Sequence, residues 1–183
     1  MIWLIAGVND FGPAPPVRAY EPETNTWNEV AASQAPFGEV LFHSGYQVQE
    51  TVYMYVDFPE SGNVGLYSYN IETNQWADLT AAPGQPLPMF VFSRFGAWAH
   101  DPDDNLCILT GAFQNEVGEP TDLAFVYDPV DNKWLDRLPN FTTSRISPAA
   151  WIVGTGPDRK LCIAGGNIDE YGETMSDFDK LES

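Results

Sequence analysis

Two histidines, two cysteines and 26 carboxylates are the groups in this 183-residue chain that could ligate a metal, activate a nucleophile or relay a proton. His43 and His100 stand alone, without the short-range His, Cys or carboxylate partners from which a transition-metal site is built. Cys107 and Cys162 sit inside apolar runs, Leu106-Cys-Ile-Leu and Leu161-Cys-Ile-Ala, where a thiol behaves as a small hydrophobe. Gly165-Gly166 follows such a run but lacks the Lys and Ser/Thr that a phosphate-binding loop requires. Asp101-Pro-Asp-Asp-Asn105 superficially resembles a calcium loop, yet it has neither the central Gly nor the distal Glu of one, and it reads as a turn. A Ser/His/Asp triad is assembled in space, and none is legible along the chain. The expectation is a protein with no catalytic residue, no cofactor and no metal site.

The elements that would position any site are repetitive. Tyr followed seven residues later by Trp occurs three times, as Tyr20 and Trp27, Tyr69 and Trp76, Tyr127 and Trp134. The Trp-to-Trp intervals are 49 and 58 residues, and turn formers such as Asn25, Asn74 and Asn132 lie inside each pair. Each pair is a strand, a tight turn and a second strand. Short apolar runs precede them at Ile2–Gly7, Thr51–Val56, Leu106–Gly111 and Leu161–Gly166, with last residues 49, 55 and 55 apart. A further strand candidate precedes the later runs, at Phe37–Val48, Phe92–His100 and Ile146–Val153. Each full period therefore holds four strands, called 1 to 4 in chain order. Four antiparallel strands recurring about every 50 residues predict a β-propeller blade.

The pattern resembles the kelch repeat: an apolar strand ending in Gly-Gly, then a Tyr, then a Trp. Only Gly165-Gly166 keeps the full doublet. Ala6-Gly7, Thr110-Gly111 and Tyr55-Val56 stand in the other three positions, and the second repeat is expected to be distorted at the end of its strand 2. Trp27, Trp76 and Trp134 are expected to fill the gaps between neighbouring blades, with the three Tyr hydroxyls reaching backbone groups. Cys107 and Cys162, together with Trp3 and Val52, take equivalent slots in the repeat frame, and two free buried thiols are predicted. Copper-radical oxidases of the galactose-oxidase type are built on kelch propellers with His and Tyr ligands and a Cys cross-linked to a Tyr. The two His here are offset in the repeat frame and both Cys lie in the strand slot, so that enzyme is kept as an alternative only.

Counting strands gives an all-β chain, a single kelch-type propeller segment with repeats at about 1–36, 37–88, 89–144 and 145–183. Two complete four-stranded antiparallel blades are flanked by two incomplete ones: the first repeat lacks strand 1, and the last lacks strand 4, Leu181 taking the Tyr slot. Closed propellers need more blades than this. The expected partners are therefore further propeller blades, of this chain or another, or a different protein. A larger propeller is the favoured reading, and a self-associating structural protomer the other.

Charge narrows the partners. Eight basic residues against 26 acidic give a net charge of −18, which repels nucleic-acid phosphates and anionic lipid heads. No apolar run approaches the length of a membrane span. In the four-strand order, the 2–3 and 4–1 connections emerge on one face of the disc. The 2–3 loops mix acidic with aromatic residues: Asp10 and Phe11, Glu116 and Glu119, Asp169, Glu170, Tyr171 and Glu173. This is the candidate surface for protein recognition. Asn140-Phe-Thr142 fits an N-glycosylation acceptor and tilts an otherwise open localisation toward the extracellular side. The expected function is a non-catalytic protein-interaction module.

Overall fold

A computed structural model describes residues 2–5, 8–9, 12–13, 17–30, 36, 42–58, 63–80, 96–111, 119–136, 138–167 and 178–182. The chain is all-β there apart from one 3-10 turn at Gly156–Asp158. Blade 1 is a three-stranded sheet of β1 (Ile2–Ile5), β4 (Val17–Glu21) and β5 (Thr26–Glu29). A two-stranded ladder, β2 (Val8–Asn9) with β3 (Gly12–Pro13), lies within its 2–3 connection. Blade 2 is four-stranded: β6 (Phe42–Val48), β7 (Thr51–Phe58), β8 (Asn63–Asn70) and β9 (Gln75–Asp78). Blade 3 repeats the order with β10 (Ala97–Asp101), β11 (Leu106–Thr110), β12 (Ala124–Asp128) and β13 (Lys133–Trp134). Blade 4 has three strands, β14 (Ala149–Val153), β15 (Lys160–Ala164) and β16 (Phe178–Glu182). All neighbours within a sheet are antiparallel, and they are consecutive in the chain except that the β2–β3 ladder lies between β1 and β4. Among the described residues two four-stranded blades are flanked by two three-stranded sheets, blade 1 made of strands 2 to 4 and blade 4 of strands 1 to 3.

Strand 1 is the innermost strand of the described blades, because β10 of blade 3 contacts both β6 of blade 2 and β14 of blade 4. The Trp98 indole N–H of β10 donates to Ser44 Oγ of β6 across that inner boundary, at 3.0 Å. Two cores lie between the sheets. One joins Val48, Tyr55 and Leu66 of blade 2 to Trp98, Cys107, Leu109, Tyr127 and Trp134 of blade 3. The other joins Ala99, Ile108, Ala124 and Val126 of blade 3 to Leu161 and Ile163 of blade 4, with Phe141. Blade 3 is thus buried on both faces, which is why its strands read as nearly unbroken apolar runs.

The strand 2 ends show what the glycine doublet does. Gly111, Gly165 and Gly166 all have left-handed backbone, with φ of 70°, 65° and 88°. A Cβ on Gly111 would meet the Pro148 ring at 2.4 Å, and one on Gly166 would meet Ile146 O at 2.4 Å. These glycines let the approach to strand 1 of blade 4 pass directly over the ends of β11 and β15. Blade 2 has Tyr55-Val56 instead and is not distorted. Without a left-handed break β7 simply continues, pairing with β8 as far as Phe58 opposite Asn63.

Candidate functional site

Among the described residues, local chemistry is densest on the face of the disc where the 3–4 and 1–2 turns lie. Three 3–4 hairpins share one construction: Tyr20 pairs with Trp27, Tyr69 with Trp76, and Tyr127 with Trp134. Their rings stack at centroid distances of 5.2, 4.9 and 5.2 Å. The turn between them must reverse in four residues, and its last residue, Asn25, Asn74 or Asn132, adopts left-handed backbone at φ 52°, 57° or 50°. Asn tolerates that conformation better than other non-glycine residues. Each Tyr hydroxyl donates to the Oδ1 of this Asn, at 2.9, 2.8 and 2.6 Å. The hydroxyls therefore reach a turn side chain and not the backbone groups expected from the sequence. Asp128 Oδ1 completes the turn of blade 3 by accepting the N–H of Val130 and of Asp131.

His100 belongs to the same construction. In His100-Asp-Pro-Asp-Asp-Asn105-Leu-Cys107, the seven-residue frame of Tyr and Trp recurs with His and Cys at its ends. Asn105 has φ 56°, and His100 Nε2 donates to its Oδ1 at 3.2 Å. The ring also lies 5.9 Å from that of Tyr46 in blade 2. His100 is a turn lock at the end of the 1–2 hairpin, a role signalled in the sequence by the same seven-residue spacing with His and Cys in place of Tyr and Trp. His43 lies on β6, with its side chain outside the described residues.

The run that resembles a calcium loop is a turn, as expected, and its carboxylates reach the next blade. Arg159 meets Asp101 through Nε at 3.2 Å and also binds the Asp104 carboxylate. The Gly156 N–H donates to Asp103 Oδ2. The 1–2 turn of blade 4, residues 154–159, thereby clasps the 1–2 turn of blade 3. Asp104 and its neighbours hold the Arg159 guanidinium charged by raising its already high pKa further. Among the described residues no three His, Cys, Asp or Glu side chains are gathered to hold a metal.

On the opposite face, where the 2–3 loops emerge, Glu119 is described and exposed. Asp10, Phe11, Glu116, Asp169, Glu170, Tyr171 and Glu173 lie outside the described residues. What the structure does describe there is the floor between blades 3 and 4. Thr121 pairs with Arg145, and Ile146 with Asn167, as isolated bridges. Arg145 is fully buried, and its Nη1 donates to Gly165 O at 3.2 Å. The sequence carries no sign of a guanidinium buried between blades 3 and 4, since Arg145 is one of eight scattered basic residues with no motif around it. Nearby, the exposed Asn140 donates from Nδ2 to Asp122 Oδ2 at 2.9 Å, while the adjacent Phe141 is buried in the blade 3–4 core.

Two expectations about the sheet interior need correction. Both cysteines are free and buried, but they are not equivalent. Cys107 stands opposite Tyr127, whereas in blade 4 it is Leu161 that stands opposite Leu181, and Cys162 pairs with Lys180. Ile2, and not Trp3, stands opposite Tyr20 in blade 1. A one-residue offset turns a side chain to the other face of a sheet, so Cys162 faces away from blade 3 while Cys107 faces blade 2. Burial pushes the Cys107 thiol up to about 12 and drives the Tyr127 hydroxyl far above its ordinary value. The Trp residues are not all interior either. The Tyr/Trp face of blade 3 turns toward blade 2, so Trp134 is 4% exposed, whereas Trp27 of blade 1 is 54% exposed.

Comparison with known proteins fits this geometry. No family model matches the chain. Over 147 residues it is 23% identical to alpha-scruin of Limulus polyphemus, a kelch-repeat protein; the match covers 76% of this chain and 14% of alpha-scruin. The solved structure of YjhT superposes with a TM-score of 0.64 at 19% identity, covering 90% of this chain and 55% of that one. The chain thus spans about half of the solved structure and a small part of alpha-scruin. It is an all-β arc of antiparallel propeller blades, similar in sequence to a kelch-repeat protein and in fold to YjhT.

Proposed function

We propose that the chain is a non-catalytic kelch-type propeller module that binds another protein through the face carrying its 2–3 loops. The observation that supports this reading is the use to which the chemistry-bearing side chains are put. His100 locks a turn, Asp101 and Asp104 hold Arg159, and Cys107 is a buried core residue with its thiol kept protonated. All of these lie in the blade cores or on the turn face. In the sequence the 2–3 connections carry the acidic and aromatic residues, and Arg145 is buried between blades 3 and 4. An interface of this composition suits a cationic partner surface, in which Lys or Arg would meet the loop carboxylates around an aromatic contact.

Affinity capture from source cells with the intact chain, compared with a Glu116→Lys, Glu119→Lys, Asp169→Lys, Glu170→Lys variant, tests the assignment. A partner retained by the intact chain and lost by the variant, with salt-dependent binding, is the expected result. Equal recovery by both would remove the loops from the interface. Bound copper with oxidase turnover in the purified chain would overturn the non-catalytic reading.

A further inference from the structure

The chain that leaves β13 runs back along the outer edge of blade 3. The N–H groups of Leu135, Leu138 and Phe141 donate to the carbonyls of Val126, Ala124 and Asp122, at 2.8, 3.0 and 2.8 Å. The segment therefore follows β12 toward the face where the 2–3 and 4–1 connections emerge. Phe141 is 4% exposed and joins the core between blades 3 and 4, whereas Asn140 and Thr142 on either side of it are exposed. This alternation brings both polar residues of Asn140-Phe-Thr142 to the surface and turns the apolar residue between them inward.

Asn140 also stands apart from the other asparagines. The chain has eleven, and Asn140 alone is followed two residues later by Ser or Thr, with no Pro at position 141 or 143. The amides of Asn25, Asn74, Asn105 and Asn132 are held inside turns as acceptors. The Asn140 Nδ2 carries two hydrogens and, among the described residues, makes one hydrogen bond, to Asp122 Oδ2 at 2.9 Å. A substituent on Nδ2 takes one hydrogen and leaves the other for Asp122, so the folded rim has room for the product.

We propose that Asn140 is an N-glycosylation site, its glycan standing on the outer rim of blade 3 beside the 4–1 connection. The donor is a lipid-linked oligosaccharide pyrophosphate. Nδ2 bonds to the anomeric carbon, the bond from that carbon to the pyrophosphate oxygen breaks, and one Nδ2 proton is released as the lipid pyrophosphate departs. Thr142 is the second element by which the acceptor is recognised. The glycan has a physical use at this place. β13 is two residues long, and the described residues that follow it along β12 form no strand. A bulky hydrated chain on that edge keeps other strands from pairing with it.

Protein isolated from its source cells, treated with peptide-N-glycosidase in heavy-oxygen water and mapped by mass spectrometry, is the first test. Loss of a glycan mass from the intact protein, with heavy oxygen fixed at position 140, is expected. The acceptor is then dissected in chain secreted from a glycosylating eukaryotic host. Asn140→Gln and Thr142→Ala should each abolish the glycosidase-sensitive mass, whereas Thr142→Ser should retain it and Thr143→Ala should leave it unchanged. Asn140 and Thr142 are exposed, and far-ultraviolet circular dichroism checks that the variants stay folded. The Thr142→Ser and Thr142→Ala pair decides the matter even if Asn140→Gln fails to be secreted. An Asn140 free of glycan in protein from the source cells overturns the proposal. A glycosidase-sensitive mass that survives Asn140→Gln or Thr142→Ala overturns it as well.

Discussion

The two faces of blade 3 are both closed, and they are closed by different chemistry. Toward blade 2 the contact is aromatic and hydroxylated: Tyr53 meets Tyr127 edge-on at 5.7 Å, and the N–H of Trp98, which lies 6.5 Å from Trp134 within blade 3, is bonded to Ser44. Toward blade 4 the core is aliphatic, Ile108 and Val126 against Leu161 and Ile163, and the polar work is done at its edge by Arg159 and the aspartates. The same repeat position supplies Tyr127 to one interface and Leu181 to the next blade's sheet. A blade therefore needs only an apolar surface of the right shape from its neighbour, and the polar groups can be placed inside the contact or around it.

Truncation of the cores should have the largest effect. Trp134→Ala is expected to cost about 3–5 kcal/mol and Ile163→Ala about 2–5 kcal/mol in denaturant unfolding, because both leave cavities in buried contacts. Trp27→Ala, at a residue 54% exposed, should cost under about 1 kcal/mol despite occupying the same motif position. Comparable losses at Trp134 and Trp27 would break the view that position in the arc decides.

Alkali should then separate the two interfaces. Burial raises the Cys107 thiol from 9.0 to about 12, and it raises Tyr53 and Tyr127 in the same direction. The native state holds these protons more tightly than the unfolded chain, so their contribution is fully present below pH 9 and is lost as pH rises toward 12. A Cys107→Ala, Tyr127→Phe variant should show a flatter decline over that window in stability against pH. Variants of the blade 3–4 core should keep the wild-type slope. By the same burial, Cys107 should be inert to thiol reagents in the native chain at pH 8 and react on unfolding.

Smaller effects come from the turns. Asn132→Ala removes the Tyr127 acceptor and forces a left-handed backbone on alanine, for about 1–2 kcal/mol. Asn132→Gly relieves the backbone term and should lie between wild type and alanine. Arg159→Ala should give a change felt at the blade 3–4 edge that fades only in part as salt is added, because Asp104 is half exposed whereas Asp101 is buried. A salt-independent loss there would mean that the clasp acts by shape and not by charge.

Much of this was legible in the sequence. Strand order, blade count and the turn at Asp101–Asn105 follow from the Tyr/Trp frame and from Asn and Asp in turns. Register did not. In a strand such as Leu161-Cys-Ile-Ala, apolar on both faces, no alternation fixes the phase, so the sequence makes Cys162 look equivalent to Cys107 when its register is one residue off. The His100 lock was hidden by a change of residue type within a conserved spacing of the same chain. The Arg159 clasp and the Arg145 burial depend on pairs of residues far apart in sequence, 58 residues for Arg159 with Asp101 and 20 for Arg145 with Gly165, which no local pattern encodes. The candidate loops were identified by connection order alone, and of their residues Glu119 is the one whose position the structure adds.

The Tyr–Asn lock has a consequence in time. Tyr127 and Asn132 are five residues apart, so their bond and the Tyr127–Trp134 stack can form within a single hairpin before any blade meets another. Closing so short a loop is fast, whereas docking β10 on β6 or β14 must wait for the chain between them to be gathered. The outer hairpins are then the first native structure within the chain's reach, and the sheets grow inward from rim to axis. On this order of events Asn132→Ala should slow refolding more than it hastens unfolding, while Ile163→Ala does the reverse.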